Sequence, residues 1–264
     1  MAAAEPLRAE RDGPLLRITL TRPDRRNALD AGLIAALTAA FSDVSDARAV
    51  VLAGEGDSFC AGADVEWMRA ATELSYEENV ADSTRLRRMY EAIDRCPAPV
   101  VAPVQRYVLG GGVGLVCCAD AVIAADDAVF AFSEVKLGII PAVISPFALA
   151  RIGAGPARRY FVTGERFDAA TALRIGLVHE VVPRDDLESA VDRIVAEILT
   201  AGPEAARHAK RLVLDAPLDG LETARRIAER RTSEEGQEGL RAFLEGRTPG
   251  GPGFTSWSPP EAAR

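Results

Sequence analysis

With 264 residues, 48% of them hydrophobic, the chain is long enough to bury a large core, so disorder is not the default and one main domain with an appendage is expected. A formal net charge of −8 and a pI near 5.0 argue against a nucleic-acid partner, because duplex binding rests on neutralising phosphates with Lys and Arg. No apolar run is long enough to span a bilayer. Met1 to Gly13 carries Glu5, Glu10 and Asp12 in place of an apolar leader, so a cytoplasmic protein with no membrane partner is expected. Four cysteines, with Cys117 and Cys118 adjacent and no Cys-x-x-Cys, make a disulfide framework improbable. His179 and His208 lie far apart without a carboxylate cluster, so no metal site is expected.

In chain order, Leu15 to Thr21 alternates and is rich in β-branched residues, which predicts a strand broken at Arg22-Pro23-Asp24. A helix follows the Asn27-Ala28-Leu29-Asp30 turn, with Leu33, Ile34, Leu37, Ala40 and Phe41 on one apolar face. Ala49 to Ala53 reads as a buried parallel strand ending in a Gly54-Asp57 loop. Phe59 to Asp64 ends in a turn whose Asp64 caps a helix over Val65 to Ala70. Ser75 and Glu78 match a capping box, opening a helix that Pro97 and Pro99 stop. Val100 to Val104, Ala121 to Ala125, Val129 to Phe132 and Leu177 to Val182 are further predicted strands. His179 in the last of these reads as a packed or half-exposed strand residue. Helices are predicted over Phe147 to Ile152, Pro156 to Thr163, Ala169 to Ile175, Leu187 to Thr200, Pro203 to Leu214 and, as one long element, Leu218 to Leu244. The Pro/Gly-rich end beyond Gly246 is expected to order poorly or only against a neighbour. The small basic clusters, Arg22 to Arg26 among them, read as solvated faces or, in that one loop, as a place for a phosphorylated ligand.

Between the strand at Val100 and the apolar segment Leu115 to Ala119 stands Leu109-Gly110-Gly111-Gly112-Val113-Gly114. A glycine turn that opens a helix leaves N–H groups unpaired and aimed outward, and these hold an oxygen carrying negative charge. The same residues also suit a tight packing turn. Gly62-Ala63 is a second such turn, and the two together could hold a thioester carbonyl as it becomes an enolate. Losing one donor of such a pair typically costs about 3 kcal/mol of barrier. Glu134, at the end of an apolar strand, either moves protons at the neighbouring carbons or pairs on the surface with Lys136 or an arginine. Gly-x-Gly-x-x-Gly, a Walker loop and Gly-x-Ser-x-Gly are all absent.

The strings FCAGADVEWM, LGGGVGL and FSEVKLGIIPAVISP, in this order and spacing, resemble the enoyl-CoA hydratase/isomerase (crotonase) family over nearly the whole chain. The resemblance implies an α/β fold: a crotonase-like spiral of ββα units binding acyl-CoA over residues 1–200, and a C-terminal helical oligomerisation region over 201–264. It implies a homotrimer or a dimer of trimers, with coenzyme A entering only as part of the substrate and no other cofactor. Carried over by position, the oxyanion donors are the N–H groups of Ala63 and Gly111, and the family's second catalytic glutamate is Glu134. Its first catalytic glutamate falls on Gly114. For coenzyme binding the resemblance suggests Arg25 or Arg26 near a phosphate, the backbone of Ala28, Ala61, Asp64, Gly110 and Gly114 along the thioester end, and Arg247 in place of a C-terminal lysine. Trp67 and Met68 either wall the acyl pocket or pack in the core. The glycine run and the 133–146 string look most like bacterial hydratases of branched or carboxylated enoyl-CoAs, of the methylglutaconyl-CoA type. Hydration is the expected reaction, with 3-enoyl to 2-enoyl isomerisation and non-catalytic acyl-CoA binding as alternatives.

Overall fold

The computed structural model describes residues 5–44 and 46–250; the Pro/Gly-rich end expected to order poorly continues beyond them. Elements in chain order are β1 (Leu7–Asp12), β2 (Leu15–Leu20), α1 (Ala31–Ser42), β3 (Ala49–Gly54), α2 (Val65–Ala71), α3 (Tyr76–Asp94), β4 (Val100–Val104), β5 (Tyr107–Leu109), α4 (Gly111–Cys118), β6 (Ala121–Ala125), β7 (Val129–Ala131), α5 (Ser145–Ile152), α6 (Ala154–Thr163), β8 (Phe167–Asp168), α7 (Ala169–Arg174), β9 (Glu180–Val182), α8 (Leu187–Thr200), α9 (Pro203–Leu214), α10 (Gly220–Thr232) and α11 (Glu234–Glu245).

Six strands form one sheet in the order β1-β2-β3-β4-β6-β9, parallel except for the antiparallel β1-β2 edge. Its middle is covered on both faces, which is why those strands read as unbroken apolar runs. Val50, Leu52, Val100, Ala102 and Val122 join the main core with α1, α3 and α4, while Ala49, Val51, Val101, Ile123 and Ala125 face Leu187, Val191 and Val195 of α8. A second sheet, β5-β7-β8, pairs β5 with β7 in parallel and β7 with β8 antiparallel. The chain runs from β4 in the first sheet to β5 in the second and then into α4, and from β6 to β7 and on to α5. These are the successive ββα turns of a spiral, with helices gathered at the C-terminal end.

Four sequence expectations change. The charged edge strand β1 has no apolar alternation to announce it; it forms because β2 offers it a full ladder from Leu7↔Leu20 to Asp12↔Leu15. The three-residue β5 lies hidden before the glycine run. The strand expected from Leu177 begins only at Glu180, and exposed His179 lies just before it; its ring Nδ1 accepts from the Val122 amide and its own amide donates to the Val122 carbonyl. The long helix expected over Leu218 to Leu244 is two helices, because Ser233 adopts an extended conformation between them and its hydroxyl accepts from Gly236 N.

All four cysteines are free and buried, and burial pushes the thiols of Cys60 and Cys117 up to about 12, which leaves them unreactive. Among the described residues no helix is long and apolar enough to cross a membrane. Also among these residues, no cluster of His, Cys, Asp and Glu has the makings of a metal site.

Candidate active site

The two glycine turns meet because their flanking segments are zipped together. Cys60 N donates to Tyr107 O at 3.1 Å and Leu109 N to Cys60 O at 3.0 Å, so the 59–62 segment runs alongside β5. The following residue, Gly62, has φ +95°, a conformation strained for any side chain, and a Cβ there would lie 2.8 Å from the Leu109 carbonyl oxygen. The same Cβ would be 3.7 Å from Gly111 N, which measures how closely the turns approach. Leu29 N donates to Gly62 O and Asp64 N to Leu29 O; these bonds straddle Ala63 and leave its N–H without a partner among the described residues. On the other turn, Gly110 N donates to Ala131 O, α4 begins at Gly111, and no side chain caps the helix. The N–H of Gly111 is therefore one of the unpaired donors of a helix start.

Below these turns, loop 55–58 is braced by Asn27, which is fully buried at φ +54°. Its amide donates to Glu55 O and Ser58 O, and its carbonyl accepts from Arg22 N. Gln105 donates to Gly54 O and Gly56 O from the other side.

Glu134 opens a 3₁₀ turn directly after β7, and its Oε1 lies 3.5 Å from where a Gly110 Cβ would sit. Its Oε2 is buried with no hydrogen-bond partner. The surface ion pair considered for it does not form: no cation reaches it among the described residues, and burial raises its pKa, opposed only by its own backbone amide. A carboxylate held this way is more basic than an ordinary one, which suits it to take a proton and return it.

Ala63, Gly111 and Glu134 share one cavity of about 240 Å³ with Trp67, Tyr90 and Ile144. Met68 lines it too, and Trp67 also packs against the main core. Gly114 lies behind this wall. A Cβ on it would meet Ile144 Cγ2 at 2.5 Å and Tyr90 Cε1 and Cζ at 2.8 Å, so the position of a first glutamate is filled by other residues' side chains. The Tyr90 ring is fully buried and its hydroxyl donates to Gly111 O at 2.9 Å.

Two unpaired N–H groups and an unpaired carboxylate in one apolar cavity are the parts that enolate chemistry needs. Residues 10–251 match the sequence profile of the family described as enoyl-CoA hydratase/isomerase.

The chain belongs to this family.

An enoyl-CoA hydratase structure from Shewanella pealeana superposes with a TM-score of 0.88 at 38% identity, covering 92% of this chain and 95% of that one. Pseudomonas aeruginosa AtuE gives a TM-score of 0.89 at 38% identity over 93% of this chain and 98% of that one. The crotonyl-CoA hydratase of Syntrophomonas wolfei is 33% identical over 255 residues, 93% of this chain and 97% of the relative. The fold is accordingly the crotonase fold, and the chain is an enzyme of the hydratase/isomerase family whose substrate class is acyl-CoA.

Of the coenzyme-binding residues expected from sequence, Arg25, Arg26, Ala28, Ala61 and Asp64 form one connected group, and Arg247 lies apart. Arg25 lies within 3.2 Å of Asp64 and 3.4 Å of Glu66. Arg26 lies over the Tyr107 ring, 5.2 Å from its centroid, and its carbonyl accepts the Ala61 amide. Ala28 O accepts from Arg22. Asp64 is buried; burial disfavours its charge, but the Glu66 amide, which it caps, and the guanidiniums of Arg25 and Arg22 hold its pKa below the ordinary value. Arg247 is not brought to the cavity: it follows α11, which packs on α9 and α10, and it pairs with Glu238 and Glu245.

Three residues of this neighbourhood carry no sequence signal of their own. Tyr90 reads as one more core aromatic, Asn27 as a turn residue, and Asp82, which lines the cavity from α3, as one charge on a polar helix. Only the approach of α3 to the glycine turns separates Tyr90 and Asp82 from the background, and only the bonds of Asn27 to loop 55–58 separate that residue.

Proposed function

We propose that this enzyme adds water across the double bond of a 2-enoyl-CoA, with Glu134 as the one acid/base and the N–H groups of Ala63 and Gly111 as the oxyanion donors. The observation that carries this is the buried, unpartnered Oε2 of Glu134 in the cavity that Ala63 and Gly111 also line. Glu134 takes a proton from water as the water oxygen bonds to Cβ. The π electrons move onto the thioester oxygen, and the two N–H groups stabilise the charge that develops there. The protonated Glu134 then delivers that proton to Cα and the enolate collapses to the thioester. Coenzyme A serves as part of the substrate, with Arg26 the cation left to meet a phosphate once Arg25 is committed to Asp64 and Glu66. Apolar residues exposed on the C-terminal helices, Leu221, Ile227, Leu240, Phe243 and Leu244, support a homotrimer or a dimer of trimers built on that region.

The filled space at Gly114 favours a second reading, isomerisation of a 3-enoyl-CoA, because moving a proton between Cγ and Cα needs one carboxylate where water addition in the wider family resembles a two-carboxylate task. A panel of 2-enoyl- and 3-enoyl-CoAs in ¹⁸O-labelled water separates the two: label at Cβ is expected, and double-bond migration without label would replace hydration by isomerisation. Glu134→Gln should lower turnover by roughly 10²–10⁴ while acyl-CoA still binds. Undiminished turnover would remove Glu134 from the mechanism.

A further inference from the structure

The stripe of α3 that faces the cavity consists of Asn79, Asp82, Ser83, Leu86 and Tyr90, at the spacing of one helical face. Its chemistry changes along its length. At the Tyr90 end the ring touches the reaction centre through Gly111 O, and Leu86 continues that end as apolar wall. At the other end the cavity is polar. Asn79 uses its amide N–H groups on Leu74 O and Ser75 O, which leaves its carbonyl oxygen as the group it can offer a ligand. Asp82 has one oxygen on Arg85, whose side chain is 60% exposed and is not part of the cavity wall, and Asp82 itself lines the cavity with a side chain only 14% exposed. Ser83 adds a hydroxyl at the rim. The remaining walls come from α2, from residues 139–144 and from Leu29, and they bring no Arg, Lys or His; the charges lining the cavity are Glu134 and Asp82, both negative.

Tyr90 and Asp82 are eight positions apart, about 12 Å along the helix axis. The cavity that holds Glu134 also reaches Asp82, so an acyl chain leaving the thioester site runs toward the α3 end.

We propose, building on the enoyl-CoA reading, that the α3 end of the cavity is a selectivity site for the far end of the acyl chain: Asp82, with Asn79 and Ser83, favours a neutral terminus that donates a hydrogen bond, such as an ω-hydroxyl, and rejects a terminal carboxylate. The physical basis is asymmetric. A hydroxyl satisfies an acceptor already present, whereas a carboxylate meets a like charge with no cation in the wall to offset it. The carboxylated substrates suggested by resemblance are thereby disfavoured, and hydroxylated or plain chains preferred.

The test is calorimetric binding of three saturated ligands that cannot react, octanoyl-CoA, 8-hydroxyoctanoyl-CoA and octanedioyl-CoA, to the wild-type chain and two variants. The hydroxylated ligand is expected to bind at least tenfold tighter than the dicarboxylic one. Asp82→Asn should close that gap, and Ser83→Asp, which adds a second carboxylate at an exposed rim position, should widen it. Equal binding of all three, or an Asp82→Asn gap unchanged from wild type, overturns the selectivity assignment and leaves the enoyl-CoA reading standing. Binding of none of them overturns both.

Discussion

Replacing Gly114 by alanine isolates the contact that distinguishes this cavity from a two-glutamate site. Gly114 is helical, so the substitution should gain about 1 kcal/mol of helix propensity. Against that stand three Cβ contacts at 2.5–2.8 Å, to Ile144 and to two atoms of the Tyr90 ring. The ring cannot give way cheaply: it is fully buried, and its hydroxyl is fixed to Gly111 O. Overpacking of this severity belongs at the upper end of the usual 1–3 kcal/mol, so the net loss should be about 2 kcal/mol, or roughly 4–8 °C in Tm for a chain of this size. Thermal unfolding of Gly114→Ala, Tyr90→Leu and the double variant completes a cycle. Tyr90→Leu alone should cost about 2–4 kcal/mol through lost packing and the lost hydroxyl, and the double variant should cost at least about 1 kcal/mol less than the sum. A Gly114→Ala chain as stable as wild type, or strict additivity, would refute the claim that Tyr90 occupies the missing glutamate's space.

Gly62→Ala should lower kcat by about 10²–10³, because a Cβ at 2.8 Å from Leu109 O drives the two oxyanion turns apart; steady-state kinetics on any substrate the wild type accepts checks it, and a change under threefold would refute it. Asn27→Ala should destabilise by about 3–4 kcal/mol, since it orphans the Glu55 and Ser58 carbonyls and the Arg22 amide and leaves alanine at positive φ. Asn27→Gly, free of the dihedral strain, should be about 1 kcal/mol milder in the same urea titration; identical losses would mean that the backbone conformation contributes nothing. Glu134 has a raised pKa in the folded chain, so the stability associated with its neutral form is fully present below the unfolded carboxyl value near 4.5 and is lost as pH rises through the folded value. Glu134→Gln should therefore raise Tm at pH 7–8 and lose that advantage toward pH 4, whereas a variant less stable than wild type at neutral pH would contradict the burial argument. For the same reason the acid limb of the kcat/KM profile should fall at a pH above the ordinary carboxylate range, as the initial base must be ionised.

Much of this arrangement is local in origin, and local features are legible in a sequence. Asp30, Asp64, Ser75 and Asp168 each cap the helix that follows them, because a short oxygen-bearing side chain and the first free N–H groups are close neighbours along the chain. The parallel strands announce themselves as apolar runs because both faces of the sheet are covered. The turns at Gly62-Ala63 and Gly110-Gly111 show in the same way, since the φ of +95° at Gly62 and the φ of +48° with ψ of −115° at Gly110 suit glycine.

What the sequence determined alone was therefore the inventory: two amide-bearing turns, one carboxylate after an apolar strand, a glycine at the position that the family resemblance gives to a first glutamate, and the helices and strands that carry them. Tertiary structure alone decided how these parts face one another. The ladder through Cys60 and Tyr107 makes the two turns one site, residues from several elements strip Glu134 of ionic partners, and α3 lays Tyr90 across Gly114 and Asp82 along the cavity wall. These are contacts between residues tens of positions apart, and neither propensity nor periodicity encodes which side chain will fill the space another has left.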